Sequence, residues 1–376
     1  MRIGIDARTL SYEYTGIPIF VYDVLKCWNE ENTDDEFFLY SNRPFELDFK
    51  LKDNWHIVID EYGLGTIWVQ LRLAELIKKD KLDVFWEPMN FLPRKVRGTN
   101  YCVTVHDLAV YKNASFGTFK EFVMERLFIA KSCRTADKII AISEATKREI
   151  LNELKVSEEK VKVIHNGDSP YNGKEKNYSD YEKKQIQKKW NVVSNKYLLY
   201  VGTIEPRKNI TTIVKAFNVL KANGDFEGKL VLAGKRGWKS DSIFQTIMDS
   251  TYKDDIVVTG YVTEIEKECL YREASCLLFP SFEEGFGFPI VEAMSVGLVV
   301  ITADTSSMPE VGGDVAFYVN KQDICNEHEL ARQVNKALGL SDAELKLYAE
   351  RAKKRALTFN RHDAAQKILK ELKSKK

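Results

Sequence analysis

At 376 residues the chain exceeds what one ordinary hydrophobic core supports, so two domains are expected. Fifty-six basic against 55 acidic residues leave a net charge of +1, too little for a partner held mainly through nucleic-acid phosphates. The composition, 44% hydrophobic and 30% charged, is that of a globular protein, and no apolar run approaches the roughly 18 residues of a spanning helix.

In chain order, "RIGIDA", "EFFLYS", "HIVID", "DVFWEP", "YCVTVH", "KIIAIS" and "KVKVIH" read as strands. Helical stretches such as "GTIWVQLRLAELIKK" and "FKEFVMERLFIAKSC" separate several of them, a pattern that predicts a parallel, doubly wound sheet. Residues 168–195 are polar and contain no strand pattern, and read as a linker plus a solvated helix. The strand–helix alternation then restarts with "YLLYVGT", "KLVLAG", "DIVVTG", "CLLFPS", "LVVIT" and "VAFYV". Its first helix, over 207–221, carries Ile210, Ile213, Val214, Phe217 and Leu220 on one face. The chain is therefore read as two Rossmann-like α/β domains facing across a cleft, over 1–168 and 169–356, followed by a basic amphipathic helix over 357–376. The start, "MRIGIDAR", has no apolar signal core, and the six cysteines form no CxxC pair. Both features predict a cytoplasmic protein with buried free thiols.

In open α/β sheets ligands bind beyond the carboxyl ends of strands, and the informative residues fall there. In "VGTIEPRKN", Gly202 and Thr203 turn the chain and bring Arg207 and Lys208 to the head of the next helix, a pattern suited to a diphosphate. "VLAGKRGW" offers Lys235 as a contact for phosphate or ribose, and "VTGYVTE" offers a backbone edge at Val262 for a nucleobase. "PSFEEGFGFPIVEAM" is the strongest stretch. Gly285 and Gly287 allow close backbone approach, and Pro289 fits the first helical position. The amides of Phe286 to Phe288 then lie at a positive helix end, flanked by Glu284 and Glu292. Amides for an anion and carboxylates for hydroxyls together describe a nucleotide diphosphate sugar. In the first half, His106 and Asp107 end a strand, and Gly16 lies in a loop that could close over phosphate.

These residues resemble the GT-B fold glycosyltransferases of family 4, which are retaining and use nucleotide sugars. "EGFGFPIVE" matches the family's E-x7-E motif through Glu284 and Glu292, and "GTIEPRKN" matches its phosphate element. "AISEATKREI", "VIHNGD", "SSMPEVGGD" and "VHDL" match further family segments in order, over nearly the whole chain. The resemblance implies that Arg207 and Lys208 hold the donor diphosphate in place of a metal ion. It further implies that Glu292 binds the ribose, that Glu284 with the Gly285–Phe288 backbone holds the donor sugar, and that Val262 meets the base. His106 would line the reaction centre, and the terminal helix would cross back onto the first domain. No metal or other cofactor is expected. The acceptor implied is a saccharide or lipid-linked saccharide for surface polysaccharide, met at the cytoplasmic membrane face; "FLPRKVRG", "LAELIKKDK" and the Lys-rich tail offer a basic surface for peripheral contact. "SSMPEVGGD" leans towards branches that use GDP-mannose or a related hexose.

Two departures stand out. "TGIPIF" lacks the second glycine and the arginine of the family's G-I-G-R-Y, and His165 replaces a usual proline. Two other classes compete with this reading. A nicotinamide-dependent oxidoreductase needs G-x-G-x-x-G after a strand, and "GFGFPI" lacks the third glycine. A non-catalytic sugar-nucleotide or polysaccharide binder would be signalled by loss of Arg207, Lys208 or either acid, and all four are present.

Overall fold

The computed structural model of the chain describes residues 1–374 except 13–15, 32–33, 63–64, 109–110, 112–118, 166 and 168. The chain forms two compact units, Met1–Gly167 with Asn360–Lys376, and Asp168–Phe359.

In unit 1, β1 (Arg2–Asp6), β2 (Glu36–Ser41), β3 (Trp55–Ile59), β4 (Val84–Glu87), β5 (Asn100–Val105), β6 (Lys138–Ala141) and β7 (Val161–Val163) form one parallel sheet. Its order is β3-β2-β1-β4-β5-β6-β7, so the order reverses between β1 and β4. The central strands are apolar on both sides because helices cover both faces. On one face α1 (Gly16–Glu30) buries Val21, Leu25 and Trp28 against Ile3, Ile5 and Trp86. On the other, α2 (Gly65–Lys79), α3 (Phe119–Thr135) and α4 (Glu144–Leu154) bury Trp68, Leu73, Ile77, Ile129 and Ile150 against Phe85, Tyr101 and Val103.

Unit 2 repeats the design. Its strands are β8 (Tyr197–Val201), β9 (Lys229–Ala233), β10 (Ile256–Gly260), β11 (Cys276–Phe279), β12 (Val300–Ala303) and β13 (Phe317–Val319), in the parallel order β10-β9-β8-β11-β12-β13. The helices are α5 (Asp180–Trp190), α6 (Ile210–Asn223), α7 (Asp241–Met248), α8 (Glu264–Glu273), α9 (Phe288–Val296), α10 (Met308–Gly312), α11 (Glu327–Leu338) and α12 (Asp342–Ala356). Ile210, Ile213, Val214, Phe217 and Leu220 of α6 are all buried, as their spacing requires. The last helix, α13 (Arg361–Lys373), belongs to unit 1, where Ala364, Ala365, Ile368, Leu369 and Leu372 enter the core around Trp28.

Three expectations need correction. The stretch over 168–195 is not solvated throughout: Tyr171, Tyr178, Ile186 and Trp190 are buried. Its helix is pinned to α8 by Lys183 on Glu273 at 2.6 Å and Lys189 on Glu266 at 2.7 Å. Amphipathic packing outweighs a polar composition wherever a few large rings can be covered. The helix read from residue 207 starts at Ile210, because Asn209 takes a left-handed φ of 57° after a 3-10 turn over Pro206–Lys208. Of the six cysteines, Cys325 is exposed and the other five are buried.

Candidate functional site

The site lies at the carboxyl edge of the second sheet, where the strand order reverses between β8 and β11. As β8 ends, the Gly202 N–H donates to the Ala233 carbonyl oxygen at 2.9 Å. Gly234, at the end of β9, comes so close that a Cβ there would stand 1.9 Å from the Gly202 carbonyl oxygen. Only glycine fits such an approach. The chain then presents Arg207 and Lys208 from the 3-10 turn, not from the α-helix itself. Asn209 fixes that turn, its Nδ2 donating to the carbonyl oxygens of Pro280 at 3.2 Å and Ile324 at 2.7 Å.

Both cations meet the first acid of the glycine-rich stretch. Lys208 Nζ donates to Glu284 Oε1 at 2.6 Å. Arg207 Nη1 donates to the Glu283 carbonyl oxygen at 2.9 Å and to Glu284 Oε2 at 3.3 Å, while its Nη2 reaches Glu205 Oε1 at 3.0 Å. Burial alone would raise the Glu284 carboxyl, but the charges of Lys208 and Arg207 outweigh it and hold the group below the ordinary 4.5. The stabilisation it gives is therefore present above that value and is lost as pH falls through the lower folded pKa.

The stretch after Glu284 is clamped from behind by the segment leaving β12. Ser306 Oγ donates to the Glu284 carbonyl oxygen at 2.6 Å and accepts from the Glu284 N–H at 3.3 Å. Ser307 Oγ lies 2.9 and 2.8 Å from the carbonyl oxygens of Glu284 and Phe286. Ser306 holds a left-handed φ of 53°, strain that costs of order 1 kcal/mol and persists where surroundings demand it. Gly287, with φ 106°, caps α9, whose first-turn N–H groups have no acceptor within the helix. The helix begins at Phe288, which makes Pro289 its second residue rather than its first. Its missing N–H still falls among the groups without an intrahelical acceptor, so the proline does no harm there.

Glu292, one turn into α9, has its own pair of donors. Lys267 Nζ reaches Oε1 at 2.9 Å and the Tyr271 hydroxyl reaches Oε2 at 2.8 Å, both from α8. A carboxylate has about four acceptor positions, so room for ligand hydroxyls remains. Lys235 Nζ lies 5.1 Å from the centre of the exposed Tyr261 ring, and Val262 is buried just beyond β10.

The structure thus brings Arg207, Lys208 and Glu284 into one ion cluster, with Gly285, Phe286, Gly287 and Phe288 continuing from it. Gly202, Lys235, Val262 and Glu292 stand on the adjoining strand ends and helix of the same unit. His106 and Gly16 belong to unit 1. His106 Nε2–H donates to the Pro88 carbonyl oxygen at 2.8 Å, and the Phe20 ring meets it edge-on at 5.5 Å. Burial lowers its pKa below 6.5, so the ring is neutral with its lone pair on Nδ1. Gly16 opens α1 with φ 38°, while residues 13–15 of the loop read as closing over phosphate lie outside the described residues. Sequence reasoning quoted Ser306 and Ser307 within "SSMPEVGGD" without giving them a role, and missed Lys267 and Tyr271. The two serines follow a strand end and were legible by that rule; the α8 pair, four residues apart, carried no such signal.

Family models match both units: "Glycosyltransferase Family 4" over residues 16–168 and "Glycosyl transferases group 1" over 182–355. The chain belongs to glycosyltransferase family 4. Among its family relatives, O-antigen chain mannosyltransferase B of Escherichia coli is 28% identical over 67% of this chain and 65% of the relative. O-antigen chain mannosyltransferase RfbU of Salmonella typhimurium is 30% identical over 60% of this chain and 58% of the relative. The matches therefore span less than two thirds of either relative. The fold is GT-B. A glycosyltransferase from Rickettsia africae superposes with a TM-score of 0.72 at 17% identity, covering 99% of this chain and 97% of that one. Anabaena HepE, solved with UDP and glucose, gives 0.73 at 16%, covering 100% and 99%.

Proposed function

We propose that this family 4 glycosyltransferase transfers a hexose, mannose by preference, from a nucleotide diphosphate sugar to a saccharide or lipid-linked saccharide acceptor in surface-polysaccharide synthesis. The observation that carries the reading is the Arg207–Lys208–Glu284 cluster at the strand-order reversal of unit 2. Two cations there match the two phosphates of a donor, and the curated relatives named above are mannosyltransferases. The cations stabilise the diphosphate as it leaves, the role a metal ion fills elsewhere. Glu292 takes the ribose hydroxyls, Glu284 with the Gly285–Phe288 backbone the sugar, Lys235 a phosphate or ribose oxygen, and Val262 the base. His106 serves the acceptor. Attack from the face that the diphosphate leaves retains the anomeric configuration, and a leaving-phosphate oxygen takes the acceptor proton.

The test is incubation with GDP-mannose and other nucleotide sugars, each with a saccharide acceptor and excess EDTA. Nucleoside diphosphate release coupled to a glycoside of unchanged anomeric configuration is expected. An inverted product, or a reaction abolished by chelator and restored by magnesium, would overturn the corresponding part of the reading.

The peripheral contact is proposed for the outer faces of α2 and α3. Ile67, Leu71, Met124 and Leu127 are exposed near their starts, and Lys78, Lys79, Lys131 and Arg134 are exposed further along. Apolar residues beside lysines suit an anionic bilayer surface. Among the described residues no helix is long and apolar enough to cross a membrane. Co-sedimentation with vesicles containing anionic lipid is expected to fall with added salt and with Leu71→Glu. Equal recovery on neutral vesicles would refute the charge argument.

A further inference from the structure

Unit 1 buries three charged side chains at its own strand-order reversal, and nothing above uses them. Asp6 ends β1 and Glu87 ends the neighbouring β4, and both have no exposed surface; Arg8 is 5% exposed. Arg8 Nε donates to Asp6 Oδ1 at 2.9 Å and Oδ2 at 2.8 Å, and Nη2 lies 2.6 Å from Oδ2. Arg8 Nη1 reaches the Gly65 carbonyl oxygen at 3.4 Å, and the guanidinium stands 5.7 Å from the centre of the Trp68 ring. Glu87 Oε1 accepts from the Met89 N–H at 2.8 Å. Between those two residues, Pro88 supplies the carbonyl oxygen that receives the His106 Nε2–H. One cluster therefore ties together the segment after β1, the start of α2 and the segment after β4.

Its charges do not balance if both acids are ionised. Two buried carboxylates would then share one guanidinium, at a desolvation cost that proteins avoid by keeping a proton. Among the described residues no donor reaches the buried Glu87 Oε2, and the register that pairs Ile5 with Trp86 brings the Asp6 carboxylate beside Glu87 at the adjoining strand end, where the two acids act on each other. Two acceptors meet in this way only when one carries a proton. Asp6 is held by Arg8 through both oxygens, so it keeps the charge and Glu87 keeps the proton. Burial first, then the Asp6 charge, push the Glu87 carboxyl well above the ordinary 4.5, with Arg8 and the Met89 N–H opposing. Beyond the two acids, Tyr12 also acts on Arg8. Unit 2 also gathers cations and an acid at its strand-order reversal, but there the acid that holds Lys208 comes from beyond the neighbouring strand, whereas Arg8 is held by Asp6 of its own strand. The unit 2 charges keep a little exposure, 11% for Lys208 and 9% for Glu284, whereas Asp6 and Glu87 in unit 1 have none.

We propose that Asp6 and Glu87 share a single proton, and that with Arg8 they act as positioning residues for the Pro88 loop and, through it, for His106. The positioning role rests on His106 serving the transfer reaction, whereas the shared proton does not. Glu87→Gln imitates the protonated acid, because its NH2 donates to Asp6 and its oxygen accepts from Met89. It should fold and keep transfer within about threefold of the parent, since no hydrogen bond is lost. Glu87→Ala frees the loop and should lower kcat by about 10²-fold, the effect of a small misplacement, with nucleotide affinity of unit 2 unchanged. Asp6→Asn turns an amide towards Arg8 and should be as damaging.

Two readouts do not depend on activity. A group with a raised folded pKa gives stability that is complete below its unfolded value of 4.5 and is lost as pH rises. The denaturation midpoint of Glu87→Gln should therefore gain on the parent as pH rises from 4.5 towards the raised folded pKa. The parent's infrared spectrum at pH 7 should show a protonated-carboxyl band that Glu87→Gln removes. A midpoint difference flat with pH, or no such band, overturns the shared proton. Glu87→Gln as inactive as Glu87→Ala overturns the positioning role. If Asp6→Asn is insoluble, the two Glu87 variants and the band decide; if even the parent transfers no sugar, the proposed function fails while the proton is still tested.

Discussion

Glu284→Ala and Glu292→Ala are expected to fail in opposite ways. Glu284 neutralises Lys208 at 2.6 Å and Arg207 at 3.3 Å from a position only 9% exposed. Removing one member of a buried ion cluster costs about 3–5 kcal/mol, and the remaining Glu205 contact to Arg207 should keep the loss near the low end. A diphosphate that binds these cations must displace Glu284. Without that competitor, free nucleoside diphosphate should bind Glu284→Ala as tightly as the parent or tighter. Transfer should nevertheless fall by about 10²–10³, because the group that meets the sugar is gone. Glu292 is different: its oxygens are held by Lys267 and Tyr271 rather than by either cation. Glu292→Ala should weaken nucleotide and donor alike, by about 10- to 100-fold, the worth of hydrogen bonds to a charged group. Calorimetric titration with nucleoside diphosphate separates the two. Linkage adds a second measure, since ligand bound only by the folded state raises the thermal midpoint. That rise should be at least as large in Glu284→Ala as in the parent. Equal loss of nucleotide affinity in both variants would remove the division of labour.

What the sequence made legible follows from what parallel sheets demand. Strands such as "KLVLA" and "CLLF" are buried on both faces, so they stand out as short unbroken apolar runs. The site residues were legible because glycine and proline mark the strand ends where ligands bind, as at Gly202 and Gly287. Pairings between elements were not legible. Nothing in the spacing of Lys267 and Tyr271 says that their partner is Glu292, some 21 to 25 residues on. Asp6 and Glu87 meet only because β1 and β4 become neighbours after a crossover through two other strands. The segment after unit 1 was misread because its buried groups, Tyr171, Tyr178, Ile186 and Trp190, follow no single period. Its lysines and acids set the composition, and its rings set the packing.

Deletion from residue 360, which leaves unit 2 whole, is expected to abolish transfer by unfolding unit 1. The terminal helix does cross back onto unit 1, as expected, and its contacts make it part of that unit's core. Ile368, Leu369 and Leu372 are buried beside Trp28, whose Nε1–H donates to the Ala365 carbonyl oxygen at 2.8 Å. Polar contacts reinforce it: Arg361 meets Asp23 at 2.8 Å and Lys373 meets Asp35 at 2.6 Å, an acid that also holds the chain's N-terminal amine at 2.9 Å. Burying one large aliphatic side chain is worth about 1.5–3 kcal/mol, so the three together contribute roughly 5–9 kcal/mol. A whole domain is stable by only about 5–15 kcal/mol. Unit 1 should therefore lose its cooperative unfolding transition, while unit 2 keeps its own. Nucleotide binding should survive, because Gly202 to Glu292 lie within unit 2. The milder Leu369→Ala with Leu372→Ala should lower the unit 1 transition and leave the unit 2 transition in place, as differential scanning calorimetry can resolve. A truncated protein that keeps both transitions would show that the helix only lies on the surface of unit 1 and does not complete its core.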